Sequence, residues 1–185
     1  MTTDEQSGQS KQVTSEFEDL AQSIADQSES FLLAIREIAY SGDRGTVVPL
    51  LLLEVSQMLF AGARLGVQTD FVPQEQFEPD AGPDPDLDQM REKLAELLEG
   101  ADDFTEVFDP YMDPPELVSS RLSDDIADIA ASVAHGLQHY RRGSIDEALW
   151  WWQFSYLNAW GSEAGAALRA LHAIVAHVRL DPALR

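Results

Sequence analysis

The sequence predicts an all-α fold, a single-domain bundle of five or six helices with a long acidic, Pro-rich loop and a Trp-rich C-terminal helical hairpin. Three observations predict it. Apolar residues recur at three- and four-residue steps over most of the chain, which is the helical period. No stretch of useful length alternates apolar and polar side chains as a half-buried strand does. Gly42, Gly100, Gly143 and most of the prolines fall between the periodic stretches. With 185 residues, 44% of them hydrophobic, the chain can build one domain around one core.

Each element follows from local signals. Residues 1–14 are rich in Gln, Ser and Thr and hold almost nothing to bury, so they read as a disordered polar tail before a helical domain over 15–180. Phe17, Leu20, Ile24, Phe31, Ile35 and Ile38 then define a helix that Gly42 stops. A second helix starts at Thr46, an N-cap, tolerates Pro49 in its first turn and ends near Gly66. Its apolar residues go nearly all the way round, the mark of a central helix. Val47 to Gly66 is also about long enough to span a bilayer. Pro49, Glu54, Ser56, Gln57 and Arg64 interrupt it and no basic cluster flanks it, so a buried core helix is expected.

Pro73, Pro79, Pro83 and Pro85 break the pattern over residues 68–86, an acidic loop in which Phe71, Val72 and Phe77 are candidate anchors. A third helix runs from about Pro85 to Glu99, with Leu87, Met90, Leu94, Leu97 and Leu98 inward. Residues 101–119 read as a second loop anchored by Phe104, Val107, Phe108 and Tyr111. Its acids do not follow the twelve-residue calcium-loop pattern. Ser123 with Asp124 and Asp125 reads as an N-cap and acidic first turn of a fourth helix that Gly143 ends. Ser144-Ile-Asp-Glu147 is a capping box opening a helix to about Trp160. Gly161 is then an interruption, and a last helix runs from Ser162 to Arg179 before Asp181-Pro182 terminates it.

Charge and composition exclude several functions. Twelve basic against 33 acidic side chains leave a net −21. That balance argues against nucleic acid and against an anionic membrane as partner. With no cysteine there is no disulfide, thiolate metal site or thiol nucleophile. Phosphate-cradling glycine loops and a Gly-x-Ser-x-Gly elbow are missing, and the only lysines are Lys11 and Lys93. The N-terminus lacks the basic and apolar regions of an export signal, so a cytoplasmic location is expected.

Leu122-Ser-Asp-Asp-Ile-Ala-Asp-Ile129, Gly136-Leu137, Tyr140, Gly143, Ala148-Leu-Trp-Trp-Trp152, Phe154, Trp160-Gly161 and Ala167-Leu-Arg-Ala-Leu-His172 together resemble a family. It is a family of small bacterial all-helical proteins known only as a domain of unknown function. The likeness is dense over residues 120–175. Upstream it is carried by helix order and the Asp109-Pro110-Tyr111 loop. Where that family often places an aromatic residue and a His, this chain has Ala130 and Ala159. The resemblance implies an all-α fold and brings no activity with it.

Two constellations bear on function. Asp125, Asp128, His135 and His139 share an arc of the fourth helix opposite its apolar stripe, and the i, i+4 histidines could reach one divalent metal ion. The plainer reading is a polar face. Trp150, Trp151 and Trp152 fan over about 200° of one helix, so not all three can face one core unless the helix is surrounded. Core packing is the simpler account. A ligand or partner groove would use Trp150, Trp151, Trp152, Gln153, Tyr156, Asn158, Trp160 and Arg169. His172 beside the last helix's inward stripe reads as a core-edge residue.

The function expected is therefore a noncatalytic interaction or small-ligand-binding module of a bacterial cytoplasm, without a cofactor and with an unidentified protein or small ligand as partner. A homodimer through an apolar helix face is a further expectation. The alternative is a metal-binding or metal-dependent hydrolytic protein using the Asp/His face. A third reading is an acidic mimic occupying a basic groove.

Overall fold

The computed structural model describes residues 3–73 and 79–180, with side chains from Glu16 onward. The candidate anchor Phe77 and the terminator Asp181-Pro182 lie outside the described residues, as do the side chains of the expected tail. The elements are α1 (Thr3–Ser41), α2 (Val47–Gly66), α3 (Asp88–Leu97), β1 (Asp103–Val107), β2 (Leu117–Arg121), α4 (Leu122–Arg141), α5 (Ile145–Ser155), a π turn (Tyr156–Trp160) and α6 (Gly161–Leu180). The backbone of α1 is helical from Thr3, so it runs through residues that the composition assigned to a tail.

The central helix is α4, not α2. Leu122, Ile126, Ile129, Val133 and Leu137 are buried to about 1% exposure or less, and α1, α3, α5 and α6 all pack around them. In α2 one face, Val47, Leu51, Val55, Met58 and Leu65, enters the core against α1 and α6. The opposite face leaves Leu50, Leu53 and Phe60 exposed. Counting apolar residues around a helix overstates its burial, because leucine and phenylalanine are common on surfaces too. By length and composition α2 is long and apolar enough to cross a membrane.

The Trp-rich hairpin is formed by α4 and α5 around Gly143. There φ of +82° favours glycine, and Ser144 N donates to His139 O at 3.1 Å. Gly161 does not interrupt. It is helical, and α5 passes through the π turn into α6. A side chain at Gly161 would meet Tyr156 O at 2.4 Å, so the position serves close packing rather than chain reversal. The extra residue of the π turn also sets the indoles. One α turn of about 3.6 residues and one wider turn of roughly 4.4 bring Trp152 and Trp160 to the same side. Both are fully buried.

Two of the capping signals work differently from expectation. Ser144 precedes α5 but its side chain makes no capping bond. Thr46 likewise makes none. Its hydroxyl instead donates to Asp43 Oδ2 at 2.8 Å.

Residues 103–121 are not simply a loop. β1 and β2 pair antiparallel, with Phe104 opposite Ser120 and Glu106 opposite Val118. Asp102 fastens this hairpin to α4. It is 5% exposed, and its carboxylate accepts from Ser123 N and Ser123 Oγ, both at 2.8 Å, and from Arg121 Nη2 at 2.8 Å. Ser123 is therefore capped rather than capping, and the N-cap is Arg121, two residues earlier than expected, so the helix begins at Leu122.

Candidate functional site

The indole cluster is structural in its larger part. Trp152 Nε1 donates to Val133 O at 3.0 Å, Trp151 Nε1 to Ser132 O at 2.9 Å and Trp160 Nε1 to Ser155 Oγ at 3.1 Å. Each buried N–H thus has the partner that burial demands. Gln153, 4% exposed, clamps the start of the acidic loop. Its Oε1 accepts from Phe71 N at 2.9 Å and its Nε2 donates to Leu65 O at 3.0 Å. Phe71 also stacks edge-on with Phe17, as an anchor should, whereas Val72 is exposed. Tyr156 packs between Gly62 and Trp160. Trp152, Gln153 and Trp160 therefore cannot line an open groove. Trp150 stacks on Phe154 at a partly exposed edge, and exposed Asn158 donates to Phe154 O within its own helix.

The Asp/His face divides into two groups. His135 Nδ1 lies 2.7 Å from Asp84 Oδ1 of the acidic loop, and its ring lies 4.3 Å from Trp151 and 5.1 Å from His139, which is buried. Asp125 and Asp128 belong to a separate carboxylate group with Glu106 of β1 and Glu163 of α6. Among the described residues, no group of three or more His, Asp or Glu side chains is arranged to hold a metal ion. Glu106 and Glu163 have no counterpart in the sequence reading, because only the fold brings them beside α4.

Asp125 is 9% exposed and its Oδ2 has no hydrogen-bond partner. Burial first, then the charges of Glu106, Glu163, Asp128 and Asp124, push its carboxyl up to about 7. Glu163 and Asp128 are raised too, each chiefly by burial. A carboxyl raised in the folded state binds its proton more tightly there than in the unfolded chain. Its ionisation therefore removes stability as pH rises from about 4 to about 7. Asp125→Asn abolishes that ionisation. The variant should exceed the parent by about 2–4 kcal/mol at pH 8 and match it near pH 4. Thermal melts at the two pH values check this, and an equal difference at both would contradict it.

A different open feature lies elsewhere. A cleft of about 770 Å³ separates β1 from α6. Phe104, Val107 and Phe108 form one wall, and Ala166, Ala170, Ala173 and Ile174 the other. Short alanine side chains at helical spacing hollow the α6 wall, while β1 stands off from it. Arg169 supplies a guanidinium and His177 an imidazole on the helix side, Asp103 and Glu106 acids on the hairpin side. Arg169 has no side-chain hydrogen bond or ion pair among the described residues. Of the residues named from sequence as a groove, only Arg169 borders this cleft.

Fold and site thus define a mostly helical single domain with a small β-hairpin and an apolar cleft under it. The chain belongs to the family described as Domain of unknown function (DUF5063), which matches residues 15–177. Among solved structures it is similar to that of protein BF1032 from Bacteroides fragilis. That likeness has a TM-score of 0.64 and 20% sequence identity, covering 82% of this chain and 89% of that one, and it shows the fold. No curated protein matches the chain.

Proposed function

We propose that this domain is a noncatalytic binding module whose site is the cleft between the β1–β2 hairpin and α6. The observation that carries the reading is a cleft of about 770 Å³ with mainly apolar walls and one guanidinium, Arg169, that has no partner among the described residues. Sites for small ligands fall in this size range and combine apolar walls with a few polar groups. The ligand that fits is an apolar chain or short peptide segment ending in a carboxylate, which a planar guanidinium can hold with two parallel hydrogen bonds. The lining supports binding rather than catalysis. Ser162 and His177 lie fifteen residues apart on α6, roughly 22 Å along the axis, too far for a nucleophile and its base.

Calorimetric titration with decanoate tests this. Measurable binding should weaken at least about tenfold in Arg169→Glu, through charge reversal. It should vanish in Ala170→Trp, which fills the cleft. Decanol should bind more weakly than decanoate. Equal decanoate affinity in all three proteins would contradict the reading.

A further inference from the structure

A second surface lies at the turn of the hairpin and adjoins the cleft through Phe108 and Pro110. The connection from Phe108 to Leu117 exposes four large apolar side chains. Tyr111 is 95% exposed, Leu117 67%, Phe108 63% and Met112 44%. Phe108 and Tyr111 are thus not the anchors that their type suggested. The segment is nevertheless held in one shape. Asp109 Oδ1 accepts from Tyr111 N at 2.8 Å, Asp109 O from Met112 N at 3.2 Å, and Glu116 O from Phe108 N at 3.0 Å. Clustered apolar groups on a fixed loop cost solvation free energy unless something covers them. Because the loop is already shaped, docking it loses little further conformational entropy.

Charge selects what covers it. Asp109, Asp113 and Glu116 alternate with the apolar residues, and no Lys or Arg occurs from residue 94 to residue 120. A second copy would bring another net −21 to a face that is already acidic. We propose that residues 108–117 are a docking tip for a partner protein that offers an apolar pocket rimmed by Lys and Arg. Tyr111 enters the pocket as the aromatic anchor, and the three acids meet the basic rim. Phe108 and Pro110 also line the cleft, so the tip adjoins it, but Tyr111, Met112 and Leu117 do not border it.

The test uses the full chain and a fluorescently labelled, amphipathic Leu/Lys helical peptide as a basic apolar probe. An all-Lys peptide of equal charge is the control. The Leu/Lys peptide should bind the parent and lose at least about tenfold in affinity in Tyr111→Ser/Leu117→Ser. It should also bind more weakly to Glu116→Lys and in about 0.5 M salt. The all-Lys peptide should not distinguish the parent from Tyr111→Ser/Leu117→Ser. The substituted side chains are exposed, so folding is retained, and decanoate binding serves as the control for an intact cleft. Equal Leu/Lys binding by the parent and the double variant overturns the proposal. So does light scattering that shows the parent self-associating through a contact the double variant abolishes. Tip-dependent binding to neutral phosphatidylcholine vesicles overturns it as well, since the tip would then serve a lipid surface.

Discussion

Gly136→Ala is expected to destabilise the domain by about 3 kcal/mol or more, lowering Tm by roughly 6–12 °C for a chain of this size. Gly136 is buried in α4 against Trp152 of α5. An added Cβ would lie 2.2 Å from Trp152 Nε1 and 2.4 Å from its Cδ1. That indole cannot swing away. It is fully buried, and its N–H is committed to Val133 O at 3.0 Å. Either the two helices separate or the indole loses both its packing and its hydrogen bond. Gly165→Ala is the matched control. It is the same change inside a helix, with nothing within 4 Å of the new methyl. There the lower helical entropy cost of alanine should stabilise by about 0.5–1 kcal/mol. Opposite signs for the same substitution would tie the effect to the Trp152 contact, and two losses of similar size would refute it.

The second large effect is expected at Asp102. Asp102→Ala should cost about 2–4 kcal/mol, as leaving two buried donors without their acceptor does, while the half-exposed Arg121 can turn to water. The substitution removes the acceptor for Ser123 N, the first-turn donor of the central helix, and leaves Ser123 Oγ buried without that partner. It also strips Arg121 of two bonds to one carboxylate oxygen, at 2.8 and 3.1 Å. Asp102→Asn keeps one carbonyl acceptor and should fall between the two. Loss of hairpin amide protection should accompany the fall in Tm, because Asp102 joins β1 to α4. A Tm within about 1 kcal/mol equivalent of the parent for Asp102→Ala would be inconsistent with this role.

The helices were legible because their cores repeat at helical spacing, as Ile126, Ile129, Val133 and Leu137 do in α4. What escaped depends on contacts distant in sequence. Asp102 caps a residue twenty-one positions away, and no local pattern marks it. The hairpin was read as a loop because its strands have five residues each, and the half-buried side mixes Phe104 and Val118 with Glu106 and Ser120. Such strands lack the clean alternation that advertises a buried face.

The candidate site divides the same way. Core packing was the simpler account of the indoles in sequence, and it holds for Trp152 and Trp160, which are buried, whereas Trp150 and Trp151 are half-buried. The loop role of Gln153 was not legible, because its partners are backbone atoms of Leu65 and Phe71. Arg169 was named for a groove with the tryptophans, yet it borders the cleft of the hairpin instead. A helix has several faces, and sequence spacing alone does not say which element each one meets. Nor could the carboxylate group be found, because Glu106, Asp125 and Glu163 come from three separate elements.

The most direct test of the cleft is residue-resolved. Amide and methyl spectra of the isotopically labelled chain, recorded through a decanoate titration, locate the ligand. Saturable shifts should concentrate at Phe104, Val107, Ala166, Arg169, Ala170 and Ile174, with the α4–α5 indoles undisturbed. Shifts centred on Trp150, Trp151 and Phe154, or no saturable shifts at all, would contradict the assignment of this cleft as the binding site.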